Sequence, residues 1–462
     1  MGVKLRAWLL FLIFLTGFLS LSLELIVIRQ LAFYVGSSAV VTSIIIGAFL
    51  GFMSIGYFRG SSIKPNRYNV RKILFASFIT IAAMSVLAGS FALITGYFYT
   101  MYAAGIFSIV TQTALFSLIF LSVAPFLFGF NVALLSRYLH KHDINYTGKI
   151  MAWDTIGSVL GSLATTLILM PIIGVNYTIL LIIIMALGAA FAVMPRLFVV
   201  PIIAVIFIPA VVINTDSYLR RAYGIIINNE NSTISVEEYG DGTRILKMNG
   251  VNMSIYNKSA GTTAQYVDYI NDNFIYNMPR DKRRNILVLG AGGFTAGLRD
   301  TFNAYTFIDI ERTLKDVSEQ KFLGEKLTEN KKFIVQDASQ FLKNTMLNYD
   351  LIILDVYSNS YQVPENLITM EFMQRIKSRV APGGMIVMNV IASPDFNDKF
   401  SRVFDNTFRA VFPNNTTRQV IGHINPWVAD KGVGSNVLYI YYNRPESGRI
   451  YTINKTPVIY DR

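Results

Sequence analysis

The sequence predicts two unlike halves: a multi-pass α-helical membrane domain over residues 1–213, then an α/β domain with a parallel sheet, entered through a β-hairpin. Three observations predict it. Charge is segregated: of 41 Lys/Arg and 29 Asp/Glu in 462 residues, residues 1–213 hold 12 and 3, and the rest of the chain 29 and 26. Apolar runs close to the roughly 20 residues of a bilayer-spanning helix recur at about 8–28, 38–58, 73–95, 105–135, 150–170, 176–194 and 197–213. Beyond residue 281 strand-like and helix-like stretches alternate, the pattern of a parallel sheet wrapped by helices.

Seven helices is the simplest count for residues 1–213. The first run follows Lys4 and Arg6 and lacks a small-residue cleavage site, so it reads as an anchor and not as a removable signal. The run 105–135 is long and contains Pro125, which predicts a kinked helix or a helix with a surface segment. Of the net charge of +12, +9 lies in this half, in short loops. That is a membrane-orientation signal and not a nucleic-acid footprint. Arg59, Lys64, Arg67, Arg71 and Lys72 share one loop, Arg137, Lys141 and Lys149 another, and the intervening 96–104 carries no charge. The positive-inside rule places both basic loops and the N-terminus in the cytosol. Seven spans would leave residues 214–462 outside; six or eight would place them in the cytosol, the side expected from the cofactor argued below. Glu24 and Asp154 fall inside spans; Arg29, five residues after Glu24, is its expected partner. The spacing of Gly157, Gly161 and Ala164 suits close helix packing.

Residues 214–280 predict a β-hairpin subdomain and a connecting helix. Asp241-Gly242 is a hairpin turn signal within 231–256, and a helix is expected over about 261–277. Residues 281–462 form the α/β domain. Strands are expected at 286–289, 306–310, 333–335, 351–355, 385–390 and, as a late edge strand, 437–442. Helices are expected at 294–302, 313–324, 338–346 and 367–380.

In such a sheet ligands bind at the carboxyl ends of the strands. The first strand ends at Gly290-Ala291-Gly292, the second at Asp309, the third at Asp337-Ala338 and the fourth at Asp355. Glycines let a ligand approach the backbone, and an acid about 20 residues beyond them suits ribose hydroxyls. Thr295 stands where a dinucleotide fingerprint needs its last glycine, which disfavours NAD, and no P-loop sequence is present. An S-adenosyl compound, with no phosphates to cradle, fits. The chain has no cysteine, which excludes disulfides and thiolate chemistry, and its three histidines offer no metal-site spacing, so no metal is expected.

These residues resemble the spermidine synthase (polyamine aminopropyltransferase) family, built on the class I methyltransferase-like (Rossmann-like) fold. The resemblance runs over 231–392 through "LKMNG", "FIYNMP", "ILVLGAGG", "FIDIE", "QDASQFL", "YDLIILDVYS", "LITMEF" and "APGGMIVMNV". Residues 1–213 look like the membrane region fused to such domains. The resemblance implies aminopropyl transfer from decarboxylated S-adenosylmethionine, or group transfer from S-adenosylmethionine, to an amine. It implies that Gly290 and Gly292 back the cofactor, Asp309 holds the ribose, and Asp337 and Ala338 meet the adenine. Asp355 is then the general base. An ungapped count back from Pro279 puts Asp268 on a family acid and Asp272 on its usual histidine. Tyr357 and Ser358, with Glu365 and Glu371, are the other candidates for the acceptor.

The chain departs from the family at two acids. The aspartate that grips the aminopropyl amine within the glycine run is absent from Gly293-Phe294-Thr295. The second aspartate, three residues after the base, is Ser358. Two alternatives therefore stay open: methyl transfer to an unknown acceptor, and a non-catalytic adenosyl- or polyamine-binding sensor or transport regulator. The expected partners are a small-molecule amine or other acceptor and the lipid bilayer, with no nucleic acid; a homodimer is compatible with the resemblance.

Overall fold

The computed structural model describes residues 3–36, 38–140, 147–356, 365–422 and 434–445. The chain divides into two compact units, 1–236 with 248–250 and 237–247 with 251–462. The division falls later than the change of composition at 213.

The first unit is helical. Its elements are α1 (Val3–Val35), α2 (Ala39–Ser62), α3 (Arg67–Gly89), α4 (Phe91–Ala103), α5 (Ile109–Phe120), α6 (Val123–His140), α7 (Thr147–Ala164), α8 (Met170–Val193), α9 (Val199–Ile213) and α10 (Asp216–Tyr223). Polar side chains start several of them: Ser38, Asn66, Ser108 and Thr215 each accept a backbone N–H of the first turn. Four described helical segments are long and apolar enough to cross a membrane, or six if each of two bent pairs counts as one. The run 105–135 resolves into one such pair, α5 and α6, bent by 46°. Residues 165–169 join α7 to α8 as a π-helical turn, and the helix is then broken at Gly174, whose φ of 79° is left-handed.

Close approaches order these helices. Cβ atoms on Gly157 and Gly161 would lie 2.0 and 2.4 Å from the carbonyls of Phe14 and Phe18, and Thr165 donates to Ser22, so α7 runs parallel to α1. Ile179 meets Gly89, while Arg71 donates through Nε and Nη2 to the Val193 carbonyl, so α8 runs antiparallel to α3. Gln30 donates to the Gly89 carbonyl, and Leu5–Leu12 lie beside Val70–Leu74, so α1 and α3 are parallel. The reversal at Gly174 therefore makes α7 and α8 antiparallel, α7 packed on α1 and α8 on α3 and α1. Arg29, the partner expected for Glu24, donates to the Asn229 carbonyl (2.7 Å) and to the Thr233 hydroxyl (3.2 Å).

A small sheet of order β1-β2-β3-β4-β5 follows, from β1 (Ile225–Asn228), β2 (Thr233–Glu238), β3 (Thr243–Met248), β4 (Val251–Asn257) and β5 (Thr262–Thr263). The expected turn forms: Gly242 has φ 83° and donates to the Tyr239 carbonyl. Then come α11 (Gln265–Ile270), extended to Ile275 by a π-helical turn, β6 (Asn285–Leu289), β7 (Ala304–Asp309), and α12 (Leu314–Val317), extended to Phe322. They are followed by β8 (Lys331–Val335), α13 (Ala338–Asn344), β9 (Tyr349–Leu354), α14 (Met370–Ser378), β10 (Val380–Ala392), α15 (Lys399–Val411), β11 (Thr416–Ile421) and β12 (Ser435–Tyr442).

The large sheet has the order β11-β12-β10-β9-β6-β7-β8. Strands β8, β7, β6, β9 and β10 are parallel neighbours; β12 joins β10 antiparallel, and β11 joins β12 antiparallel. This is the class I methyltransferase-like arrangement. Leu287, Val288, Ile352 and Ile353 are at most 2% exposed, so adjacent residues of β6 and β9 are buried on both faces, as a sheet covered on both sides requires.

One expected helix, 294–302, does not form; the segment is a series of turns. Phe294 (φ 60°) and Gly297 (φ 62°) both adopt the left-handed conformation, which a helix cannot contain. Packing accounts for it: the Phe294 ring is fully buried against Phe307 and Phe333, at 5.1 and 5.3 Å. Strand β11 and helix α15 were not anticipated.

Candidate active site

The site lies in the second unit, at the carboxyl ends of β6, β7, β8 and β9. Gly290 leaves β6 with φ 90°, and a Cβ there would sit 2.1 Å from the Asp355 carbonyl. No other residue type fits that position, so the first turn and the end of β9 are pressed together, main chain on main chain. Gly292 (φ 50°) also needs the left-handed conformation.

Asp309 ends β7. Its Oδ2 accepts from the Ala291 N–H at 3.1 Å and its Oδ1 from the Glu311 N–H at 3.0 Å, so it ties the glycine turn to its own loop. Burial pushes its carboxyl above the usual range, against those two hydrogen bonds. Each oxygen keeps a second lone pair, the capacity a pair of ribose hydroxyls requires. Asp337 follows β8 and caps α13, Oδ1 accepting from the Gln340 N–H at 2.8 Å; Ala338 behind it is buried. The Gln336 N–H donates to the Asp309 carbonyl, placing Asp337 beside Asp309 on one rim.

Asp355 follows β9 with its carboxylate held at both ends. Oδ2 accepts the Tyr266 O–H at 2.7 Å and Oδ1 accepts Asn389 Nδ2 at 2.9 Å. Burial raises its pKa, and those two donors act in the opposite direction. The structure thus gathers Gly290, Gly292, Asp309, Asp337, Ala338 and Asp355 along one sheet edge.

The acceptor side is different. Asp268 does not join the rim: its carboxylate is spent on Thr263, accepting the backbone N–H at 2.9 and 3.1 Å and the hydroxyl at 2.6 Å, which anchors the start of α11 to β5. A carboxylate so engaged is a local structural clasp, and its expected role with the acceptor is not supported. Asp272 faces solvent near Arg299, and Glu371 is exposed on the first turn of α14. Tyr357 and Ser358 lie outside the described residues.

Residues 274–422 match the family described as Spermine/spermidine synthase domain. The C-terminal region carries a spermine/spermidine synthase domain. Over 139 residues the chain is 27% identical to a polyamine aminopropyltransferase of Vibrio vulnificus, covering 29% of this chain and 44% of that protein. Over 162 residues it is 30% identical to one from Sulfolobus acidocaldarius, covering 31% and 53%. The chain therefore spans about half the length of these curated relatives. Among solved structures, a probable spermidine synthase from Corynebacterium glutamicum is similar at 21% identity over 49% of this chain and 81% of that one, with a TM-score of 0.39.

Four residues around the site escaped the sequence reading. Tyr266 carried no signal, being 89 residues from the carboxylate it holds. Asn389 was legible in principle as the one polar side chain in the apolar run Met385–Ile391. Ser254 on β4 accepts the Gly293 N–H at 2.8 Å and fixes the glycine turn from the hairpin side. Phe322, fully buried, leaves Gly293 no room for a side chain: a Cβ there would lie 2.1 Å from Phe322 Cε1 and 2.9 Å from the Ser254 Cβ. The place of that side chain is filled.

Proposed function

We propose that the C-terminal unit transfers a carbon group from an S-adenosyl sulfonium to a nucleophile, aminopropyl transfer to an amine being the leading activity. The observation that carries this is Asp355, a carboxylate fixed by Tyr266 and Asn389 against the glycine turn. A primary amine is protonated at neutral pH, with an unperturbed pKa of about 10. It must shed a proton before its lone pair can attack. Asp355 binds the ammonium and takes that proton. The new C–N bond forms as the C–S bond breaks, and sulfur leaves as a neutral thioether, methylthioadenosine. Gly290, Gly292, Asp309, Asp337 and Ala338 would hold the adenosyl part. Holding nucleophile and sulfonium in line is the main contribution asked of the protein.

Methyl transfer is the second reading, favoured by Gly293. With Phe322 and Ser254 in the place of an acid, the described residues offer no counter-charge there for a donor amine. Calorimetry on the detergent-purified chain separates the two. Tighter binding of decarboxylated S-adenosylmethionine, with methylthioadenosine released on adding diamines, supports aminopropyl transfer. Preference for S-adenosylmethionine supports methyl transfer. Binding without turnover leaves a sensor.

The helix order of the first unit bears on location. Starting from the end that holds Lys4, Arg71 and Arg137, the chain traverses the bundle through α1, α2, α3, the α5–α6 pair, α7, α8 and α9. It finishes at Asn214, which donates to the Ser90 hydroxyl at the far end of α3. Seven traverses separate the basic end from Asn214, and the far-end connections 36–38, 104–108 and 165–173 carry no charge. The positive-inside rule then puts residues 214–462 on the side opposite the cytosol, the reverse of the side expected from the cofactor. The chain has no cysteine, so single substitutions report the side directly. An impermeant maleimide applied to intact cells is expected to label Lys282→Cys and spare Lys64→Cys; the opposite pattern restores the cytosolic placement.

A further inference from the structure

At the basic end of the first unit, four helices enclose a cleft. Its walls are Leu5, Trp8, Leu9 and Leu12 of α1, Val70 and Leu74 of α3, Tyr138 of α6, and Ala192 and Val193 of α8. One charged side chain lines it, Arg71. Its guanidinium is fixed by two hydrogen bonds, at 3.1 and 2.9 Å, to the Val193 carbonyl in the last turn of α8. A cation seated on a helix C-terminus is held where the backbone favours it, and its remaining N–H groups are left for a ligand at the mouth.

Among the described residues, the charge around the mouth is basic. Lys4 and Arg6 flank Leu5, Lys72 follows Arg71, and Arg196 lies three residues after Val193. Among the described residues of the spans the only acids are Glu24 and Asp154. Glu24 is 12 residues beyond Leu12, about 18 Å along α1. Asp154 packs at Gly17, which shares the face of α1 that bears Phe14 and Phe18 and not the face lining the cleft. Apolar walls need an apolar occupant, and an arginine fork at the rim needs an oxyanion.

We propose that this cleft binds an anionic glycerophospholipid, an acyl chain lying between α1, α3 and α8 and the phosphodiester on Arg71. The site faces the leaflet that the basic loops identify as cytosolic, where anionic lipids are met. A free phosphate would use the arginine and leave the walls unexplained.

The test uses the full chain in detergent, with bound lipid counted by native mass spectrometry. The added probes are phosphatidylglycerol, phosphatidylcholine of the same acyl chains, and inorganic phosphate. Wild type is expected to retain phosphatidylglycerol preferentially. Arg71→Gln is expected to weaken that retention about fivefold, the contribution of one basic residue. Arg71 also clamps α8, so Ala192→Trp serves as a second variant: it fills the cleft, leaves the clamp, and is expected to lower phosphatidylglycerol retention to the phosphatidylcholine level. Equal retention of both lipids by wild type, or an undiminished preference in either variant, overturns the proposal. Inorganic phosphate displacing phosphatidylglycerol at millimolar concentration would reduce the site to a simple anion site and overturn the lipid assignment.

Discussion

Tyr266 and Asp355 stand 89 residues apart in the chain and share a hydrogen bond of 2.7 Å, phenol to carboxylate. The bond favours the ionised acid and so opposes the upward push of burial. Removing it in Tyr266→Phe raises the Asp355 pKa further. A base must be ionised to work, so the acid limb of the pH–rate profile is expected to move to higher pH, by up to about one unit for a charge-assisted bond. Methylthioadenosine release measured from pH 5 to 9 reads it. A lower rate with an unmoved acid limb would leave Tyr266 a packing residue.

Asp355→Asn is expected to abolish transfer while sparing adenosyl binding. It also has a stability signature. An acid whose pKa is raised on folding binds its proton more tightly in the folded state, so its ionisation costs stability as pH rises through the folded value. The variant should therefore unfold at a higher temperature than the parent at neutral pH. The two should converge in acid, below the ordinary carboxylate pKa of about 4. Thermal scans at about pH 3 and pH 7.5 check both limits; a variant less stable at neutral pH would contradict the burial cost.

Asp309→Ala removes an acceptor from the Ala291 and Glu311 N–H groups as well as from a ribose. Every adenosyl ligand is expected to bind about 10- to 100-fold more weakly, the range for a hydrogen bond to a charged group. Calorimetry with methylthioadenosine, which lacks the transferable group, gives the cleanest reading. Unchanged affinity would take Asp309 out of the site.

Restoring an acid in the glycine run should fail at first. Gly293→Asp would drive a Cβ into Phe322, an overpacking cost of about 1–3 kcal/mol. The double variant with Phe322→Ala opens that space. It is expected to gain affinity for decarboxylated S-adenosylmethionine over S-adenosylmethionine. A single variant as stable as the parent would show that the turn yields.

Much of the sheet could be read in advance because its strands are short apolar runs ending in chemistry: Gly290, Asp309, Asp337 and Asp355 all mark strand ends. Periodicity has nothing to say about Tyr266, which reaches its partner only once α11 is laid against the sheet. Nor does it reveal that Asp268 closes on Thr263, a contact five residues away with the look of a binding acid in one dimension. The helix expected at 294–302 failed for a related reason: the burial of Phe294 outweighs local propensity. In the helical half apolar length locates helices, but their directions come from glycine approaches such as Gly157 on Phe14. Gly157→Leu is accordingly expected to separate α1 from α7 and to lower the yield of folded protein in detergent, read by size-exclusion chromatography.

The left-handed torsion at Gly174 carries a consequence for topogenesis. Residues 147–193 as an unbroken rod would be about 70 Å long, more than twice the roughly 30 Å of hydrocarbon in a bilayer. Folded back on itself, the same stretch would enter and leave a bilayer by one leaflet; straightened, it would pass through once. In a membrane, a single residue's backbone would thus set the parity of passages, and with it the compartment of everything downstream.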